Sequence, residues 1–101
     1  MSQTTDFVAE LIYAANTIDE VTPFERRRLL ERGMAIVAAQ RELLELRGNI
    51  VPLQPDFMRE MGRLAEIAGR KNGISLLIGS GMLMLADEIR RLRVLSKAAE
   101  A

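Results

Sequence analysis

The chain has 101 residues, of which 49% are hydrophobic and 28% are charged, a length and composition typical of one soluble domain with a single small core. Its 14 basic residues balance its 14 acidic residues, so it lacks the net positive charge that drives non-specific binding to nucleic acid. It contains neither Cys nor His, which excludes disulfides, thiolate nucleophiles, imidazole bases and the usual zinc ligand sets. The composition therefore favours a binding or structural protein over an enzyme.

The first two predicted elements are helices, because apolar residues recur every three to four positions and no stretch alternates long enough to form a strand. The first helix is expected from about Thr5 to Ile18, with two neighbouring apolar stripes that form one broad buried face. The second begins at Thr22, because Thr22, Pro23 and Glu25 supply an N-cap hydroxyl, a fixed φ and a capping-box carboxylate. We expect it to run for about 25 residues, until Gly48 forms a left-handed C-cap.

A proline-containing connector, Asn49 to Gln54, is expected to separate the second helix from the third. The third helix is predicted from about Pro55 to Lys71, with Phe57, Met61, Leu64 and Ala68 along its inner face, and Asn72-Gly73 ends it. The fourth helix has a clear period from Met82 to about Ser96, but Gly79-Ser80-Gly81 interrupts its start. That interruption permits a kink, a break or a close helical crossing.

These elements predict one all-α domain over residues 1–101, a compact bundle of four helices, or five if the last helix is broken. Short connections favour antiparallel neighbours. We expect flexible ends at about residues 1–4 and 97–101. The N-terminus lacks the features of a signal peptide, and the longest nearly uncharged run, 74–86, is shorter than the ~20 residues that span a bilayer. These features predict a cytoplasmic protein with no membrane segment.

The sequence shows no arrangement of residues that is typical of a catalytic or metal-binding site. The carboxylate pairs lack the His of a Glu-x-x-His metal motif, and the Ser and Thr residues lack an obvious base. Gly79-Ser80-Gly81 lacks the lysine and the preceding strand of a phosphate-binding loop. We therefore predict no catalytic residue, no cofactor, no metal site and no enzymatic activity.

Three consecutive arginines, Arg26, Arg27 and Arg28, lie in the first turns of the second helix, where the macrodipole disfavours cations. Two interpretations remain open: ion pairs with neighbouring carboxylates, or contact with an acidic partner surface, which suits the arginine fork. Direct reading of DNA is disfavoured, because the helix in the recognition position would be almost wholly apolar at its start.

The segment from Ile74 to Leu85 is apolar around the whole helix, which requires burial on every side. Four short helices provide little material to enclose it, so we infer surplus apolar surface for a partner or a second copy. Methionine is frequent and either fills core gaps or lines an adaptable groove. The residues predicted to bind a partner are Met58 and Met61 on the third helix, Leu83 and Met84 on the fourth, and the three arginines of the second.

The segment Thr22-Pro23-Phe24-Glu25-Arg26-Arg27-Arg28-Leu29-Leu30-Glu31-Arg32 resembles the capped helix start of small antiactivators of the QseM type, which bacterial integrative and conjugative elements encode. The similarity extends to overall size and helical character and covers about a quarter of the chain. It implies a cytoplasmic protein that binds transcriptional activators, including quorum-sensing regulators of the LuxR type, and blocks them without touching DNA. The resemblance identifies no active-site residue in this chain.

The mechanism required of such a protein is an apolar groove between helices, rimmed by Arg and Glu, that captures a helix or strand of the target. We expect a monomer or small homo-oligomer. The alternative is a homo-oligomeric structural or assembly protein of a phage or secretion system, with the apolar fourth helix as its self-interface.

Overall fold

The computed structural model describes residues 3–49, 56–70 and 74–100. Four α-helices follow one another: α1 Gln3–Asn16, α2 Pro23–Leu46, α3 Phe57–Ala68 and α4 Ser75–Glu100, with a single 3₁₀ turn at Ile18–Glu20 between α1 and α2. The described ranges contain no strand. The predicted all-α bundle of four helices is confirmed.

The start and end of α2 follow the local sequence signals. The backbone N–H of Glu25 donates to the side-chain oxygen of Thr22 at 3.2 Å, and Pro23 occupies the first turn. At the other end, Gly48 has a φ of +83°, the left-handed conformation that favours glycine. Both predicted caps are confirmed, and the helix between them has 24 residues.

Several other boundaries differ from the prediction. Helix α1 ends at Asn16 instead of Ile18, because the chain tightens into the 3₁₀ turn, in which the Glu20 N–H donates to the Thr17 carbonyl at 2.9 Å. The predicted connector lies mostly outside the described residues, as do the predicted last residue of the third helix and its Asn72-Gly73 stop. Helix α4 continues to Glu100, past the predicted end at Ser96, so residues 97–100 extend the helix and do not form the expected loose end.

The helices run up, down, up and down, so helices that follow each other in sequence are antiparallel, as predicted. The most extensive packing, however, joins the parallel pair α2 and α4. Three hydrogen bonds between them each link residues 49 positions apart, Arg26 to Ser75, Gln40 to Ile89 and Arg47 to Ser96. Helix α4 therefore lies at the centre of the bundle, with α1 on one side and α2 on the other.

The Gly79-Ser80-Gly81 segment lies inside the unbroken helix α4, where it forms a close crossing. A Cβ atom on Gly81 would lie 2.6 Å from Leu64 Cδ1 of α3, and one on Gly79 would lie 3.5 Å from the Ala15 carbonyl of α1. Small residues here let α1 and α3 approach α4 closely, which offsets the low helix propensity of glycine. Of the three alternatives that the sequence left open, the structure has the crossing.

The core is built mainly around the inner face of α4. Five of its side chains are fully buried: Ile78, Met82, Leu85, Ile89 and Leu92. They pack against Phe7 and Leu11 of α1 and against Leu30, Val37 and Leu44 of α2. Helix α3 closes the remaining side with Phe57, Met61, Ala65 and Ala68, where the sequence pattern had placed Leu64 in the position taken by Ala65.

Candidate functional site

The outer side of α4 carries more apolar surface than the bundle encloses. Six large apolar side chains of this helix are between 37% and 81% exposed: Leu76, Leu77, Leu83, Met84, Val94 and Leu95. Leu76, Leu77, Leu83 and Met84 belong to the segment that is apolar around its whole circumference, and the neighbouring helices cover only its inner face. Val94 and Leu95 extend the exposed apolar surface towards the end of the helix. The surplus predicted from the sequence is present, and contiguous apolar surface of this kind is typical of interaction sites.

Part of this surplus forms a groove between α3 and α4 with a volume of about 410 Å³. Helix α3 packs mainly on α2 and approaches α4 at the crossing of Leu64 over Gly81, which leaves an open channel beside the contact. The apolar lining consists of Met61, Leu64 and Ile67 from α3 and Leu77, Gly81 and Met84 from α4, while the polar residues are Glu60, Arg63 and Ser80. The groove is therefore an apolar surface between two helices with both signs of charge beside it.

The four apolar residues predicted to bind a partner occupy three different environments. Met61 and Met84 both line the groove, Met61 at 1% exposure and Met84 at 41%. Leu83 is equally exposed at 41% but does not line the groove, because one residue along a helix is about 100° around it. Met58 packs against the core instead. The structure brings together only two of the four.

Two groove residues were missed by the sequence prediction, Ile67 and Leu77, which are 37% and 49% exposed. Leu77 lies within the apolar run that signalled surplus surface, so the signal for it was present. The flanking position of Ile67 on α3 gave no indication that α4 would leave it uncovered.

Unlike Arg27 and Arg28, Arg26 is only 9% exposed and does not lie on the surface with them. Its Nε donates to the Val21 carbonyl at 2.9 Å, and its Nη2 donates to the Ile18 carbonyl at 2.7 Å and to Ser75 Oγ at 3.3 Å. The guanidinium thus ties the 3₁₀ turn to the starts of α2 and α4. Its hydrogen bonds are made inside the fold, which accounts for its burial.

The other two arginines remain at the surface and pair within α2. Arg27 lies 3.4 Å from Glu31 and Arg28 lies 3.6 Å from Glu25, and both arginine side chains are more than half exposed. Pairing with neighbouring carboxylates is the first of the two interpretations that the sequence left open. Neither residue lines the groove.

A second depression, of about 380 Å³, lies between α1 and α2 and is lined by Tyr13 and several carboxylates. Two of these carboxylates already face arginines of α2: Glu10 lies 3.7 Å from Arg32, and Glu25 pairs with Arg28. Arg32 also lies over the Phe7 ring, 4.6 Å from its centroid. Carboxylates of this depression are thus already paired with arginines, so the groove beside α4 is the stronger candidate site.

Within the described ranges, no three acidic side chains cluster closely enough to hold a metal ion. None of the described helices combines the length and apolar character needed to cross a membrane. Comparison with known proteins found no matching family model, no matching curated protein and no matching solved structure. The geometry of the groove is therefore the basis for proposing a function.

Proposed function

We propose that the chain is a non-enzymatic protein-binding module that acts as an antiactivator, with the groove between α3 and α4 as its capture site. The observation that carries the proposal is the groove itself, an apolar channel of about 410 Å³ on a domain whose described residues offer no metal cluster. If the groove binds a helix of the regulator, the regulator is blocked without any contact between this chain and DNA.

The shape of the groove favours a helix as its occupant. Two antiparallel helices that diverge from a close crossing form a channel into which the apolar stripe of a third helix packs. The methionine at its wall, Met84, and the one at its floor, Met61, adapt to side chains of different shape. The occupant is thus an amphipathic helix with aliphatic residues at three- and four-residue spacing.

Charge at the rim adds a second requirement. Glu60 and Arg63 lie three positions apart on α3, so they are neighbours on the same helix face beside the channel. A bound helix with a basic and an acidic residue one turn apart would meet both with opposite charge. Rim charges of this kind determine the association rate and the orientation of a partner more than its affinity.

The proposed partner is a bacterial transcriptional activator, with quorum-sensing regulators of the LuxR type among the candidates. The support for this choice is the resemblance of the capped α2 start to antiactivators of the QseM type, together with the small helical domain that carries it. The corresponding setting is the cytoplasm of a bacterium that carries an integrative and conjugative element.

A matched pair of substitutions tests the groove. Leu76 and Leu77 are adjacent in the first turn of α4 and both are exposed, but only Leu77 lines the groove. We expect Leu77→Asp to lose the partner and Leu76→Asp to retain it, while both variants stay folded. The measurements are capture of an identified transcriptional activator from the host and repression of that activator in a reporter strain. Equal behaviour of the two variants, or the absence of any activator from the captured proteins, contradicts the proposal.

A further inference from the structure

A second exposed face of α4, which shares only Met84 with the groove, extends from residue 83 to residue 95. It consists of Leu83, Met84, Asp87, Arg91, Val94 and Leu95. At about 100° per residue these six positions fall within an arc of about 120° around the helix. The four apolar side chains are 37% to 67% exposed, and the Asp87 and Arg91 side chains are 79% and 43% exposed. We name these six residues the outer face.

The sequence of the outer face is symmetric about the buried residue Ile89. Leu83 and Leu95 lie equally far from Ile89 along the chain, as do Met84 and Val94, and as do Asp87 and Arg91. The face therefore begins and ends with an apolar pair and has one acid and one base in its middle. An antiparallel second copy places apolar residues opposite apolar residues and acid opposite base.

Charge complementarity selects this arrangement over the alternatives. In the antiparallel alignment, Asp87 of each copy meets Arg91 of the other, which gives two ion pairs related by a twofold axis. In a parallel alignment, Asp87 meets Asp87 and Arg91 meets Arg91, which is repulsive. Within each copy, Arg91 already pairs with Glu88 and Asp87 with Arg90, so the two side chains enter the interface as exposed members of ion pairs within the helix.

We propose that the outer face of α4 binds the same face of a second copy of this chain in an antiparallel, twofold dimer. Each copy contributes about 18 Å of helix, at 1.5 Å per residue. An interface formed by so short a helical face buries less than the roughly 800 Å² per partner that is typical of a stable complex. The dimer is therefore weak and concentration-dependent. Because the two faces are identical and satisfy each other, association stops at two copies and does not build an open assembly.

This dimer is independent of the proposed antiactivator function, because five of the six outer-face residues lie outside the groove and only Met84 belongs to both. Failure of one proposal therefore leaves the other standing. Partner capture is tested at Leu77, whereas self-association is tested at Asp87 and Arg91.

Sedimentation equilibrium on the full chain measures the association directly, over roughly 10 µM to 1 mM, the range in which weak complexes form. We expect the mass to rise with concentration from 11.3 kDa towards twice that value. Asp87→Arg and Arg91→Asp each place like charges opposite each other, so each variant alone is expected to weaken the dimer at least ~10-fold. Lys97→Glu, a charge reversal about a quarter turn away on the same helix, is the control and is expected to leave association unchanged.

Mixing the two charge-reversed variants is the decisive test of the pairing between Asp87 and Arg91. One variant then presents two arginines and the other two aspartates, so both intermolecular pairs are attractive again, and we expect dimerisation to recover. Circular dichroism of each variant checks that the helices are intact. The proposal is overturned if the wild-type chain remains monomeric throughout, if the reversals leave its dimer unchanged, or if folded variants fail to associate on mixing.

Discussion

Replacing Arg26 by Ala removes the side chain that fastens the 3₁₀ turn to α2 and α4. Its two bonds to the carbonyls of Ile18 and Val21 are 2.7 and 2.9 Å long and lie at a site that is only 9% exposed. A hydrogen bond from a charged group contributes about 1.5 to 3 kcal/mol. The Ile18 carbonyl keeps its bond from the Val21 backbone N–H, so the loss is that of the Arg26 bonds alone. We expect the substitution to lower the free energy of unfolding by about 3 kcal/mol, the lower limit for two such bonds.

The neighbouring Arg27 is the matched control, since it has the same side chain, lies on the same helix turn and forms an exposed ion pair with Glu31. Arg27→Ala should cost no more than about 0.5 kcal/mol. The assay is urea denaturation followed by circular dichroism at the helical band, in which Arg26→Ala should also lower the thermal midpoint by about 12 to 24 °C. If the two variants unfold within about 1 kcal/mol of each other, the guanidinium does not hold the turn, and the energetic assignment is wrong.

Four further substitutions separate local, core and surface contributions to the free energy of unfolding. Thr22→Ala should cost about 1 kcal/mol, because it removes the oxygen that caps the Glu25 N–H, and an unchanged denaturation midpoint would contradict that role of the cap. Met61→Ala should lower the free energy of unfolding by about 2 to 5 kcal/mol, because Met61 is 1% exposed. Met84→Ala, at 41% exposure, should lower it by less than about 1 kcal/mol. Equal losses for the two variants would mean that Met84 belongs to the core. Leu83→Asp should leave the thermal midpoint within a few degrees, since the carboxylate remains hydrated, and a variant that unfolds at room temperature would return Leu83 to the interior.

The helices themselves were predictable where local chemistry decides the structure. Thr22, Pro23 and Glu25 determine the start of α2 through bonds within one turn, and Gly48 ends it through its own backbone conformation. Neither signal requires knowledge of the rest of the chain. The end of α1 was less predictable, because the backbone changes there to hydrogen bonds between residues three apart, such as Glu20 N–H to the Thr17 carbonyl, while the apolar period continues through Ile18.

The candidate site was only partly predictable, because it depends on how whole helices are placed. The apolar period correctly assigned Met82 to the inner face of α4 and left Leu83 and Met84 outside. The apolar period does not show where α3 packs on α4, and therefore not which outer residues line the groove. Leu83 and Met84 were grouped together for this reason, although only Met84 lines the groove. Arg26 shows the same limit more strongly, since one of its partners, Ser75, is 49 positions away in sequence.

The parallel pairing of α2 with α4 has a consequence for the order in which the chain folds. Each of the three hydrogen bonds between these helices closes a segment of 49 residues, so the contacts that build the central pair are long-range for a small helical protein. Helices whose contacts are distant in sequence find each other more slowly than those joined by a short turn. Bringing two helices together also costs conformational entropy, because the chain between them must close into a loop. Lengthening that chain raises this cost only weakly, by about 0.6 kcal/mol for each doubling of its length. The bundle therefore tolerates insertions around α3 in thermodynamic terms, while the long-range pairing of α4 with both α2 and α1 is expected to slow its folding.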